Sequence, residues 1–292
     1  MRYRVAHSTE YHYSAQVING HTVAHLRPRD TPTQTVLTSE VWTDPVADHV
    51  EEHLDSFGNH VSYRAVEQVH DRLVVTGVCE VELSTAERPR SSPPWEEVRS
   101  SVATEAGEDG LLARMCSVGS RHVTPTSDLA RFASWSFLPD RPFHEAVIDL
   151  SHRIFTEFVF DPGFSDVSTP LGDVLAYRRG VCQDFAHLAI GAIRSLGLPA
   201  RYVSGYIENE PPPGTAKLVG ADASHAWCSV YVPGHGWFDV DPTNDQAPPM
   251  SHVTVGWGRD YADVAPVRGV VFGSPATQEL SVSVEVSRVG GR

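Results

Sequence analysis

The stretch Gly180-Val181-Cys182-Gln183-Asp184-Phe185-Ala186-His187-Leu188-Ala189, continuing to Leu196-Gly197-Leu198-Pro199, decides how the rest of the chain is read. Phe185, Leu188, Ala189, Ala192, Ile193 and Leu196 recur at helical spacing, a glycine precedes the run, and Gly197-Leu198-Pro199 supplies a stop. The pattern predicts a largely buried helix that begins at Cys182. That position matters chemically. An ordinary thiol, with a pKa near 8.5, is only about 3% thiolate at neutral pH, and the thiolate is the attacking species. A helix N-terminus contributes roughly half a positive charge and unpaired N–H groups, and a neighbouring imidazolium can hold the thiolate as an ion pair. Asp184 lies in the same first turn but points about 200° around the axis from Cys182, so it opposes a thiolate weakly.

Outward from this helix, Arg201–Ile207, His225–Val232 and Trp237–Asp241 read as strands, and Glu208-Asn209-Glu210-Pro211-Pro212-Pro213-Gly214 as a surface loop that overhangs the site. His225 starts a strand in Ser224-His225-Ala226-Trp227 and is the expected imidazole partner. Alternation puts His225, Trp227 and Ser229 on one face and Ala226, Cys228 and Val230 on the other, so Cys228 packs away from the histidine. His187 lies on the helix itself, where geometry points it along the axis rather than at Cys182. It is read as a supporting group, and His235 as a solvated turn residue.

Asp239, Asp241, Asn244 and Asp245 compete to orient the imidazole. A three-residue hairpin loop, Pro233-Gly234-His235, pairs Val232 with Gly236 and makes Asp241 the diagonal neighbour of His225, about 7–8 Å away. A four-residue loop puts Asp241 on the opposite face. Asp241 is preferred, with Asn244 the alternative. The Cys182 N–H is a candidate oxyanion donor.

The first 85 residues carry short alternating runs (Arg2–Val5, Val61–Val66, Leu73–Val78) punctuated by Asn19-Gly20 and Phe57-Gly58-Asn59, which read as antiparallel strands and turns. The breaker-rich Arg88-Pro89-Arg90-Ser91-Ser92-Pro93-Pro94 then gives way to helical periods at 127–137 and 142–158. With 292 residues, two domains are expected, 1–95 and 96–292. Leu280–Val286 alternates with period two and predicts a final strand with one buried face. Acidic residues outnumber basic ones 37 to 23, a formal charge of -14, and no basic stripe is present, which argues against nucleic acid and anionic membranes. The N-terminus lacks an apolar core of signal-peptide length, and a cytoplasmic location is expected. Cys79, Cys116, Cys182 and Cys228 lack CxxC spacing and are read as free thiols.

The segments Gly180–His187, Leu198–Tyr206, Ser224–Trp227, Gly236-Trp237 and Asp241–Asn244 resemble those of the bacterial transglutaminase-like proteins, described as cysteine proteases. Asp55–Asn59 looks like part of the N-terminal region these proteins carry, and Gly258–Pro266 like their tail motif. The resemblance implies an α+β fold with a papain-like core, a cysteine-bearing helix packed on an antiparallel sheet, beside a β-rich N-terminal domain. It implies Cys182 as nucleophile, His225 as general base and acid, and Asp241 as orienting carboxylate, with Arg259, Asp260 and Tyr261 near the cleft. Against animal transglutaminases the match is weaker: Gln183 follows the cysteine where they have tryptophan, and no DxDxDG calcium motif occurs. Hydrolysis of peptide or amide bonds without a cofactor is therefore the leading expectation. Acyl transfer to an amine, a non-catalytic binding protein with this fold, and a metal hydrolase using His225, Asp239 and Asp241 are the alternatives.

Overall fold

The computed structural model describes residues 1–85, 91–208, 224–247, 251–273 and 277–290. Residues 209–214 of the expected overhanging loop lie outside the described residues.

Strand β1 (Arg2–Ala24) is the spine of the first sheet, and its length of 23 residues lets it serve several partners. With β2 (Gln34–Asp44), β3 (His49–Leu54), β4 (His60–Val66) and β5 (His70–Leu83) it gives the order β2-β5-β1-β4-β3. Asn19-Gly20 does not form the expected turn. Both residues continue β1, Gly20 pairing with Val66 and with Val271, and a bulge between Val17 and Asn19 absorbs the irregularity. Pairing on both edges overrides the local turn preference. The turn at Phe57-Gly58-Asn59 does form, with Gly58 at φ 73°, a conformation that disfavours any side chain.

The middle of the chain is helical: α1 (Trp95–Val102), α2 (Gly107–Met115), α3 (Ser127–Ser134) and α4 (Phe143–Glu157) precede β6 (Val159–Phe160), α5 (Leu171–Tyr177) and β7 (Arg179–Gly180). Helix α6 (Cys182–Ser195) begins at the cysteine, as the pattern required. It stops at Gly197, whose φ of 77° lets the chain reverse. A second sheet of β8 (Ala200–Ile207), β9 (Ser224–Val232), β10 (Gly236–Val240) and β11 (His252–Gly258) has the order β10-β9-β8-β11 and is antiparallel throughout. Helix α6 buries Ala186, Ala189, Ile190 and Ile193 in a core shared with Leu150 and Ile154 of α4 and with Tyr202, Ala226, Cys228 and Val230 of the sheet. Among the described residues no helix is long and apolar enough to cross a membrane.

The expected division at residue 95 follows the change from strands to helices but not the path of the sheets. After α7 (Tyr261–Val264) the chain returns to the first sheet as β12 (Val267–Gly273) and β13 (Gln278–Arg288), both antiparallel to β1. Val284 and Val286 of β13 are buried while Leu280 and Val282 are exposed, so the predicted buried face exists over the second half of the strand alone.

The two sheets share a core of Tyr3, Val5, Val81, Val284 and Val286 against Tyr206, Val253 and Val255. Beside it, His7 Nδ1 lies 2.9 Å from the Tyr206 hydroxyl. The outer edge of β11 is closed by amide side chains in place of another strand. Gln34 donates to Thr254 O at 2.7 Å and accepts from Thr254 N at 2.8 Å; Asn59 donates to Trp257 O at 2.8 Å and accepts from Trp257 N at 2.9 Å. An edge satisfied in this way offers nothing for another strand to pair with at these positions. Arg29 lies 3.4 Å from the centre of the Trp257 ring and Arg201 3.7 Å from it.

Replacing Asn59 by Ala leaves both Trp257 backbone groups without these partners. From the cost of unpaired buried groups we expect a loss of about 2–4 kcal/mol, read as a lower urea midpoint at unchanged slope; a midpoint within error of wild type would mean that water replaces the amide.

Candidate active site

The site grows from three chain segments whose positions are set by local rules. Val181, the residue before α6, has no oxygen with which to cap the first-turn amides. Asp184 folds back instead, accepting from Val181 N at 2.8 Å and from the Ser165 hydroxyl. A Cβ at Gly180 would sit 2.8 Å from that carboxylate, which is why a glycine precedes the helix. Burial, only partly offset by these two bonds, raises the Asp184 carboxyl above its ordinary range. Cys182 is half-buried while Cys79, Cys116 and Cys228 are buried; all four thiols are free.

The hairpin register is the one a three-residue loop requires. Gly236 pairs with Val232 and Val240 with Cys228, so Asp241 follows directly at the end of β10 and reaches His225. His225 Nε2 lies 2.8 Å from Asp241 Oδ2, and the Cys182 thiol is near enough to act on the same ring. The structure thus brings Cys182, His225 and Asp241 together. Asp239 points elsewhere, accepting the Trp227 indole N–H at 2.9 Å. Cys228 packs into the core, its Sγ 3.6 Å from Val240 O. His235 is exposed in the turn. Asn244 does not replace Asp241 but supports it: its side-chain amide donates to Oδ2 at 2.7 Å, and the Thr243 and Asn244 backbone amides donate to Oδ1 at 2.9 and 3.3 Å.

Sequence reasoning missed His252, the first residue of β11. Its Nε2 lies 3.0 Å from the same Asp241 oxygen that His225 uses. No motif spacing pointed to it, because its approach depends on how β11 docks at the far edge of the sheet. The indole of Trp227 packs against both imidazoles, stacked on His225 at 6.0 Å and edge-on to His252 at 5.1 Å. Gly205 makes room for that indole, since a Cβ there would meet it at 2.6 Å. His225, Asp241 and His252 present ligand atoms within 4.8 Å of one another, a spacing that could hold a metal ion. The observed contacts are of hydrogen-bond length, and Oδ2 accepts from Asn244 as well, so hydrogen bonding accounts for the grouping.

Electrostatics follow from this arrangement. Burial opposes a charged His225, but hydrogen bonds and charge from Asp241 and Cys182 outweigh it and lift the imidazole to about 10. Burial likewise opposes a charged Asp241; its bonds from His225 and His252 prevail and hold the carboxyl well below its ordinary range. Tyr202 is buried beside the sulfur, its phenol kept neutral by burial and by proximity to Cys182.

His187 takes no part in this set. It is buried, pushed down to about 3 by desolvation, and its Nε2 accepts the Tyr261 N–H at 3.2 Å while its ring stacks on His122. The tail segment carries that contact. Asp260 accepts from the His122 and Ala262 amides, and Arg259 is held by Asp263. The tail segment therefore braces the second turn of α6 through the Tyr261 amide, and the ring of Tyr261 packs edge-on to Tyr202.

Comparisons with known proteins agree with this architecture. The profile of the Transglutaminase-like superfamily matches residues 138–242, and that of the Bacterial transglutaminase-like N-terminal region matches 3–82. An uncharacterized protein of Mycobacterium tuberculosis (strain H37Rv) is 39% identical over 294 residues, covering 98% of this chain and 92% of the relative. A second, from Mycobacterium leprae, is 33% identical over 288 residues and 99% of both chains. A protein-glutamine gamma-glutamyltransferase of Pseudomonas aeruginosa is 40% identical over 72 residues, 24% of this chain and 11% of the relative. The crystal structure of a candidate cysteine protease from Cytophaga hutchinsonii superposes with a TM-score of 0.75 at 20% identity, covering 100% of this chain and 92% of that one. Matched at both its N-terminal region and its core, and along nearly its full length by the mycobacterial relatives, this chain belongs to the transglutaminase-like superfamily.

Proposed function

We propose that this protein is a cysteine-dependent hydrolase of peptide or amide bonds that works through a thioester. The observation that carries the reading is the hydrogen bond from His225 to the buried Asp241, with the Cys182 thiol close enough to raise the same imidazole. With the imidazole lifted to about 10, His225 is protonated at neutral pH and stands beside the sulfur as a cation, the partner a thiolate needs.

In the first half-reaction the Cys182 thiolate attacks the carbonyl carbon and the C=O pair moves onto oxygen. The Cys182 amide at the uncapped start of α6 is a donor for that oxyanion. His225 passes its Nδ1 proton to the leaving nitrogen, the C–N bond breaks, and an amine departs from a thioester. In the second, neutral His225 takes a proton from water as its oxygen attacks; the C–S bond breaks, releasing acid and restoring the thiolate–imidazolium pair. Asp241 holds Nε2–H throughout and stabilises the positive ring without itself accepting a proton.

The same thioester can be opened by an amine instead of water. The resemblance to a protein-glutamine gamma-glutamyltransferase over 72 residues favours keeping this second reading. Incubation of a peptide substrate with an added primary amine separates the two: free acid as the product supports hydrolysis, and an amine conjugate as the main product transfers the assignment.

The buried state of the other three thiols makes iodoacetamide a selective probe. In the native protein we expect one equivalent to react at Cys182, faster at pH 7 than with a free cysteine. The Cys182→Ala protein should take up none on that timescale, and His225→Gln should react about tenfold or more slowly. A Cys182 no faster than the unfolded chain's thiols would remove the proposed nucleophile.

The ion pair also has a stability signature with a definite sign. Because His225 is raised from 6.5 to about 10, its contribution is complete below pH 6.5 and is lost as pH climbs through 10. Asp241 is depressed, so its contribution is present above the ordinary aspartate range and is lost on acidification. The difference in unfolding free energy between wild type and His225→Gln should therefore shrink steadily from pH 6.5 to 10. A difference that stays constant over that window would contradict a charged His225.

A further inference from the structure

We propose that His252 is a positioning residue for the reaction, holding the Asp241 carboxylate ionised and correctly turned while His225 cycles between its charged and neutral forms. The inference rests on the reading of Cys182, His225 and Asp241 as the reacting set and adds a fourth member to it.

The geometry leaves Asp241 little freedom. The residue has no exposed surface, so water cannot compensate its charge. Oδ1 is held by the Thr243 and Asn244 amides and Oδ2 by Asn244, His225 and His252. Of the donors on Oδ2, His225 changes charge during turnover. When it has given its proton to the leaving group, the cation that faced the buried carboxylate from His225 is gone, and this is the moment at which the carboxylate is most costly to keep ionised. His252 supplies a bond from outside the reacting pair at that moment. Its side chain is almost fully buried, packed edge-on by Trp227, and the titratable groups in contact with it are His225 and Asp241.

The strand that carries His252 is itself fixed by the first sheet. His252 pairs with Ile207 of β8, and two residues on, Thr254 is bonded through both backbone groups to Gln34. The N-terminal sheet thereby reaches the reacting set through one imidazole.

The test uses the pH profile of Cys182 alkylation by iodoacetamide in the full chain, which needs no knowledge of the substrate. His252→Gln keeps an amide donor on a side chain of similar reach and should stay within about threefold of wild type, whereas His252→Met fills the space without a donor and should react about tenfold more slowly at pH 7. The shape of the Met profile should also differ from wild type, which a purely structural role, read as a lower Tm alone, would not produce. If the Met variant does not fold, His252→Asn takes its place, since its amide is too short to reach Oδ2, and the same slowing is expected. A Met or Asn profile that overlays wild type overturns the role of His252. Wild-type Cys182 that reacts no faster than a free thiol overturns the proposed hydrolase instead, so the two failures are distinguishable.

Discussion

The structure turns on one buried negative charge. Taking a carboxylate wholly out of water costs several kcal/mol unless donors replace the lost hydration, and Asp241 receives them from two imidazoles, one side-chain amide and two backbone amides. These donors come from β9, from the turn that follows β10 and from β11. The hairpin between β9 and β10, the reversal at 241–246 and the docking of β11 must therefore all be in register together. A shift of one residue in the hairpin would turn Asp241 to the opposite face and leave His225 without its partner.

The cysteine end of α6 is left open because the rest of the helix is fastened elsewhere. At its far end the buried Arg194 donates to the carbonyls of Cys116, Ala200 and Arg259 and to Ser120. In the second turn of the helix, His187 is a neutral acceptor for the tail segment. Asp184 ties the entry to the helix without capping its first-turn amides. The polar groups most able to compete for the sulfur are thus occupied, and the positive end of the helix faces the one half-buried thiol.

How much of this was legible in the sequence depends on how local each signal is. Helix α6 was readable because period, leading glycine and terminal Gly197 agree within one segment, and the expected three-residue hairpin loop gave the observed register. Asp241 could be preferred over Asp239 because strand alternation and a short loop leave few choices. His252 was invisible, since its partner is brought to it by sheet order rather than by spacing along the chain. The continuation of β1 through Asn19-Gly20 was misread for a related reason: a turn-forming pair is overruled when both edges of the strand are taken. Strand β13 could not be assigned to the first sheet from its alternation, which says that a strand has two faces but not which sheet it joins, and β12 was not read as a strand.

That return of the chain bears on what the first sheet is for. An edge strand such as β11 has a row of amides and carbonyls facing outward, and in most sheets solvent or another strand takes them. Here Gln34 and Asn59 act as fragments of a neighbouring strand, and Asn59 is in turn bonded to Asp55 and Arg29. The Asp55–Asn59 turn is therefore a clamp on β11, and the positive φ at Gly58 lets the turn close tightly enough to aim Asn59 at Trp257. Since β12 and β13 complete the same sheet, the clamp is built from both ends of the chain. The geometry around Asp241 is then a property of the whole fold and not of the helix and sheet alone, because one of the groups that hold the carboxylate sits on the strand being clamped.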